Sequence, residues 1–251
     1  MVTLATSERF DIGRVIARMF GVISRNFGVF AALALLLSGL PTALLGLART
    51  GLLPSTGALD LGLSWSWLVN MLISAWLQAA LIRGSISDLN GARASFGECL
   101  GTATGDILPL IGVGVLTTVI CAMGLFFFIV PGIILALILS VSAPARVVER
   151  RGVIAALGRS GDLTRDHRGA IFGLFVLYGL GLAVGGIVLN LIGAVTGFAG
   201  PAEGIVWAAL INPIAGAFTA LIGAAGIASI YFELRTVKEG IGIEALAAVF
   251  D

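Results

Sequence analysis

Charge is the first thing this sequence is short of. Acidic and basic residues make up 12% of its 251 positions, where soluble domains carry about 25%. A soluble chain of this length needs polar side chains on the outer face of every element, and most segments here have none to put there. That shortage excludes water as the surrounding medium. A hydrophobic share of 58% and a mean hydropathy of +1.07 point instead to the bilayer. Histidine occurs once, as His167, and lysine once, as Lys238. The net charge of +1 leaves no basic surface of the kind nucleic acid requires, so no nucleic-acid partner is expected. The two cysteines, Cys99 in a polar stretch and Cys121 in an apolar run, are too few for a disulfide framework and read as free thiols. The opening MVTLATSERFD lacks the basic-then-apolar order of a secretory signal, and this segment is expected to stay attached. No pattern here implies a cofactor.

What the sequence does have is apolar length. A spanning helix needs roughly 20 mostly apolar residues, because about 1.5 Å of rise per residue must cross about 30 Å of hydrocarbon. Six segments meet or approach this, near 27–48, 66–82, 107–128, 131–146, 170–192 and 205–232. The sequence therefore reads as an all-α integral membrane protein. A six-helix transmembrane bundle over 27–232 follows an interfacial helix within 1–26 and precedes a tail, 233–251. Pro131 and Gly132 leave almost no loop between the third and fourth spans, so these two are expected to form a tight hairpin; one long kinked helix is the competing arrangement.

The basic residues give the orientation. Fourteen of the 15 fall on one side of this scheme and only Arg49 on the other, which predicts a plasma (inner) membrane protein with both termini cytoplasmic. Ahead of the first span, Ile12, Val15, Ile16, Met19, Phe20, Ile23 and Phe27 recur at helical spacing, with Arg14, Arg18 and Arg25 on the other side. Such a helix lies in the headgroup layer, so the lipid bilayer is the implied partner, with these arginines near anionic headgroups. Semi-polar stretches at 92–106 and 152–168 lead into the third and fifth spans in a similar way. The chain thus reads as three units of elbow helix plus hairpin. Aligning Gly28 with Gly169 brings Arg18 onto Arg159 and Asn26 onto His167, a weak sign of internal repetition.

The stretch RSGDLTRDHRGAIFG, 159–173, holds the triplet His167-Arg168-Gly169 that some phosphodiesterases use in catalysis. Here a spanning segment follows at once, no second histidine is available for a metal, and no strand-helix alternation could build the required barrel. The triplet therefore reads as a polar helix start at the membrane surface, and no catalytic or metal site is assigned. Uncharged polar residues within the spans are Asn70 and Gln78, Asn190, and Asn212 followed by Pro213. Amides there are expected to bond across helices, and Asn212-Pro213 to break the sixth helix. Small residues spaced by four or eight, Gly169, Gly173, Gly181 and Gly185 in the fifth span and Gly216, Ala220, Ala224 and Ala228 in the sixth, predict close packing of these helices on each other or on a second subunit.

Pro131-Gly132-Ile133, Pro144, Glu149, Ala156-Leu157-Gly158-Arg159-Ser160, Leu163-Thr164, and Tyr231, Leu234 and Arg235 together resemble the membrane domain named after glycerophosphoryl diester phosphodiesterases. That module is fused in some members to a soluble catalytic domain, which this sequence lacks. The resemblance implies a multi-helix membrane module and carries no activity with it. It marks Glu149, Arg159, Ser160 and Arg235 as an elbow cluster on the cytoplasmic side, in which Glu149 pairs with Arg159 or Arg235 on an exposed face. The function expected is a non-enzymatic scaffold or accessory subunit with a membrane-protein partner or a second copy. The alternative is a transporter or channel for a small or amphipathic solute; a membrane component of a lipid phosphodiesterase is a third reading.

Overall fold

The computed structural model describes residues 10–49, 66–150, 152–196 and 207–239. Among them every regular element is a helix. In chain order these are α1 (Ile12–Arg25), α2 (Phe27–Ala34), α3 (Leu40–Arg49), α4 (Ser66–Leu89), α5 (Phe96–Phe127), α6 (Ile129–Ile138), α7 (Ser142–Glu149), α8 (Val153–Thr164), α9 (Arg168–Thr196) and α10 (Asn212–Glu239).

Five described segments are long and apolar enough to cross a bilayer: Phe27–Leu47, Leu108–Phe127, Ile129–Glu149, Arg168–Val195 and Asn212–Glu239. Six were expected. The sixth, 66–82, lies in α4, where Gln78, Arg83 and Asp88 lower the hydropathy. The second half of this helix runs through the interior of the bundle. Leu77, Ala79, Ala80, Leu81, Ile82, Ser85 and Ile86 are buried, so over this half neighbouring helices supply the surroundings that lipid supplies elsewhere, while Leu72, Ser74 and Gln78 are exposed. At Gly84 a Cβ would lie 2.7 Å from the Phe30 ring and 2.9 Å from Cys99 Sγ. Only glycine lets α2 and α5 approach α4 this closely.

A short π-helical turn, Leu35–Gly39, lies within the first crossing, and another, Trp207–Ile211, leads into the last. A proline follows each at the same offset, Pro41 and Pro213. A proline has no N–H for the carbonyl four residues back, and the wider π turn absorbs the misfit. Leu40 N–H accordingly donates to Leu35 O, five residues back. At Asn212-Pro213 the winding changes from the π turn to α10 within one helical run, Trp207 to Glu239, so the expected break takes the form of a change of pitch.

α5 and α6 pack antiparallel, so the hairpin forms and the single kinked helix does not. The turn, however, is made by Phe128, in extended conformation (φ −160°, ψ 144°), while Pro131 and Gly132 already belong to α6. Gly132 and Gly124 face each other across the hairpin: a Cβ on Gly124 would come within 2.9 Å of Gly132 Cα. The three elbows are not alike. α1 and α8 are separate helices, whereas 96–106 runs straight into the span as part of the 32-residue α5.

Candidate functional site

Three carboxylates from three different helices converge on one end of the bundle, and each is held by groups from an adjoining segment. The first is Glu233 of α10, whose side chain is wholly buried. Arg14 and Arg18, one turn apart on α1, reach it together. Arg14 Nε donates to Glu233 Oε1 at 2.9 Å, Arg18 pairs with Oε2, and the Arg18 guanidinium lies 5.1 Å from the centre of the Phe232 ring. Two cations on a buried carboxylate offset its desolvation only while all three groups stay in place. The elbow α1 is thereby fixed across α10.

Asp88, in the last turn of α4, is the second. Arg25 donates to it at 3.1 Å through Nε and 2.5 Å through Nη2, and Asn26 Nδ2 at 2.7 Å. The buried Asn26 also donates to Val22 O at 3.1 Å and accepts from Ala94 N–H at 3.2 Å, joining the junction of α1 and α2 to the segment between α4 and α5. Hydrogen bonding to Asp88 raises the pKa of Arg25 further above its usual value.

The third, Glu149, ends α7. Of the two partners considered for it, Arg159 takes it, with Nε at 2.9 and 3.1 Å from the two carboxylate oxygens; Tyr231 Oη donates to the same group at 2.9 Å. Arg235 turns to Glu239 instead, at 2.8 Å, and Glu239 also pairs with Arg159. The Glu149 and Arg159 side chains are 11% and 19% exposed, so this is not the surface pair the sequence implied. Ser160 works beside it. Its hydroxyl donates to Ile138 O at 2.6 Å and accepts from Val141 N–H at 3.2 Å, satisfying backbone groups at the break between α6 and α7.

Arg18 and Arg159, aligned by sequence, thus both clamp a carboxylate, fully buried at Glu233 and nearly so at Glu149. Asn26 and His167, aligned likewise, differ: the first is a buried hydrogen-bonding amide, the second stacks on Phe10 with ring centres 5.6 Å apart. Burial, then the neighbouring Lys238, lowers the His167 pKa, with Asp166 opposing. A folded-state pKa below the usual ~6.5 means that the unfolded chain binds more protons, so stability falls as pH drops below that value. The melting temperature in mild detergent should therefore decline less between pH 7 and pH 5 in His167→Phe than in the wild-type chain. An identical slope for both would show that the ring titrates freely.

The amides within the spans are less engaged than the sequence implied. Asn190 Nδ2 donates to Gly186 O on its own helix at 2.7 Å and does not reach across to another. Gln78 and Asn212 are exposed, and Asn70 lies on the first turns of α4, outside the described side chains. The glycine row of α9 is also open. A Cβ at Gly169, Gly181 or Gly185 would meet nothing within 4 Å, and one at Gly173 only Ile12, at 3.9 Å. α9 and α10 instead flank an apolar crevice of about 430 Å³, lined by α1 residues such as Met19, α9 residues such as Leu174 and Tyr178, and α10 residues such as Gly223 and Gly226. A smaller, more polar pocket of about 260 Å³ lies between α4, the start of α5 and the end of α7, where Arg83 and Cys99 line it.

Among the described residues no group of three or more His, Cys, Asp or Glu is placed to hold a metal. Asp88, Glu149 and Glu233 are bound to arginine, an arrangement suited to fastening segments together. Sequence reasoning missed Asp88 altogether and treated Glu233 as a boundary residue. The available signal was an acid flanked by apolar neighbours, Phe232-Glu233-Leu234, set against two arginines four apart. No family model matches the sequence, and neither a curated protein nor a solved structure matches it.

Proposed function

We propose that this chain is a non-enzymatic scaffold or accessory subunit of the plasma membrane, with both termini and the arginine-rich end in the cytoplasm. One observation carries the reading: Asp88, Glu149 and Glu233 are each bound by arginines, so the charge at this end of the bundle holds elbows in place. A polar face fastened in this way can hold a partner in fixed register. The resemblance to the phosphodiesterase membrane domain fits a module that accompanies an activity housed in another chain or domain. The apolar crevice favours a second reading, a transporter for an amphipathic solute.

Reconstitution in liposomes separates the two. The scaffold reading expects no solute flux above protein-free liposomes and a stoichiometric membrane partner recovered in mild detergent. Flux that disappears in Asn212→Ala or Asn190→Ala would replace it with the transporter. Orientation is tested by thiol labelling in a Cys99→Ala, Cys121→Ser background. Native Cys99 is no reporter, because its side chain is 2% exposed. A cysteine at the exposed Ala92 should react with an impermeant reagent only from the cytoplasm. One at Thr56, which lies outside the described residues, should react only from the other side. The reverse labelling would invert the assignment.

A further inference from the structure

The crevice between α9 and α10 has a buried floor and an open rim. Val15, Leu174 and Ile230 are 2%, 9% and 5% exposed, while Phe20 and Leu177 at its edge are 58% and 53% exposed. α1, packed on α10, crosses its arginine-rich end, where Phe10 ahead of α1 stacks on His167 ahead of α9 and Ile12 approaches Gly173. Deeper in the membrane, Tyr178 Oη donates to Thr219 O at 3.1 Å and bridges the two walls. An apolar cavity open sideways at this depth meets acyl chains, not water, and its volume is within the range of ligand pockets, ~300–1,000 Å³.

The charges near its end are complementary to a phosphate. The arginines the sequence assigned to lipid, Arg14, Arg18 and Arg25, are bound to Glu233 and Asp88. Arg165 and Arg168, by contrast, are exposed and have no ion pair among the described residues. The acid between them, Asp166, faces Lys238 at 3.6 Å. Residues 168, 175, 178 and 182 share one helical stripe, of which Phe175, Tyr178 and Leu182 line the crevice. Arg168 therefore sits about 9 Å along the axis from Leu174, which leaves room for a glycerol backbone between phosphate and chain.

We propose that this crevice holds an acyl chain of one anionic phospholipid, with its phosphate on Arg168 and Arg165. The site is independent of whether the chain acts as scaffold or transporter. It makes α1 the roof of a lipid site, its arginines serving the fold and not the headgroup.

The full chain is purified from nanodiscs of phosphatidylcholine mixed with phosphatidylglycerol, and retained lipid is counted by native mass spectrometry. One phosphatidylglycerol per chain is expected. Arg168→Gln should lower the preference for phosphatidylglycerol over phosphatidylcholine about fivefold, the contribution of one surface cation near an anionic leaflet. Gly181→Leu places a side chain in the open crevice, with nothing within 4 Å of its Cβ, and should abolish retention of both lipids. Arg93→Gln removes an exposed arginine that does not line the crevice and should change nothing. The proposal is overturned by equal retention of the two lipids in the wild-type chain, or by a preference unmoved in Arg168→Gln. It is overturned equally if Gly181→Leu dissolves a dimer of this chain instead of releasing lipid.

Discussion

Glu233→Ala should destabilise the protein by about 3–5 kcal/mol, the cost of removing one member of a buried ionic cluster and leaving its partners uncompensated. The carboxylate is fully buried while the Arg14 and Arg18 side chains are 33% and 26% exposed, so the variant leaves two partly buried guanidiniums without their counter-ion and the cost should fall near the lower end of that range. Glu233→Gln keeps the shape and should lose nearly as much, because the missing element is charge. The combination Arg14→Met, Arg18→Met, Glu233→Leu should recover most of the loss, since buried ion clusters replaced by apolar side chains of similar volume are often neutral or more stable. Unfolding in a graded detergent mixture measures all three. If Glu233→Ala costs less than about 1 kcal/mol, the range of exposed pairs, α1 is not fixed by this cluster.

Gly132→Ala is the second large effect. The added Cβ would meet Leu125 Cγ at 2.5 Å and Leu125 N at 2.7 Å. A side chain can turn away from such a contact, but a backbone nitrogen in the facing helix cannot. The α5–α6 hairpin must open, at the cost typical of overpacking, about 1–3 kcal/mol, and Gly132→Leu should prevent assembly. Gly114→Ala and Gly179→Ala serve as controls, because a Cβ at either meets nothing within 4 Å. Both should be neutral or gain up to about 1 kcal/mol from helix propensity. Thermal unfolding that ranks Gly132→Ala with these controls would remove the close contact from the account.

What the sequence revealed and what it concealed divide along physical lines. Run length gave the spans, because hydrocarbon thickness sets a minimum number of apolar residues whatever the fold; Phe27–Leu47 and Leu108–Phe127 lie within about a residue of expectation. The amphipathic period of α1 was legible for the same local reason. The burial of α4 in protein was not, because an enclosed helix can carry Asp88 and Arg83 that lipid would reject, and hydropathy does not distinguish the two surroundings. The Glu233 clamp joins residues 215 and 219 positions apart, and no local pattern announces such a pairing. The glycine row of α9 does not close on α10: small residues permit close approach without requiring it, Gly181 borders the crevice, and packing on a second subunit is the alternative that a single chain leaves standing.

The turn at Phe128 has a consequence of its own. Phe126, Phe127, Phe128, Ile129 and Val130 are between 66% and 86% exposed, so the hairpin ends in bare hydrocarbon side chains with no polar anchor. Phe128 N–H donates to Gly124 O at 3.0 Å and its carbonyl accepts from Gly132 N–H at 3.3 Å. Pro131, in the first turn of α6, adds no N–H that would need a partner. The N–H groups of Ile129 and Val130 and the last carbonyls of α5 still lie at helix ends and call for outside partners. The bend must therefore rest where headgroups or water reach it, which pins this end of the hairpin to the membrane surface as the arginine-bound end is pinned to the other.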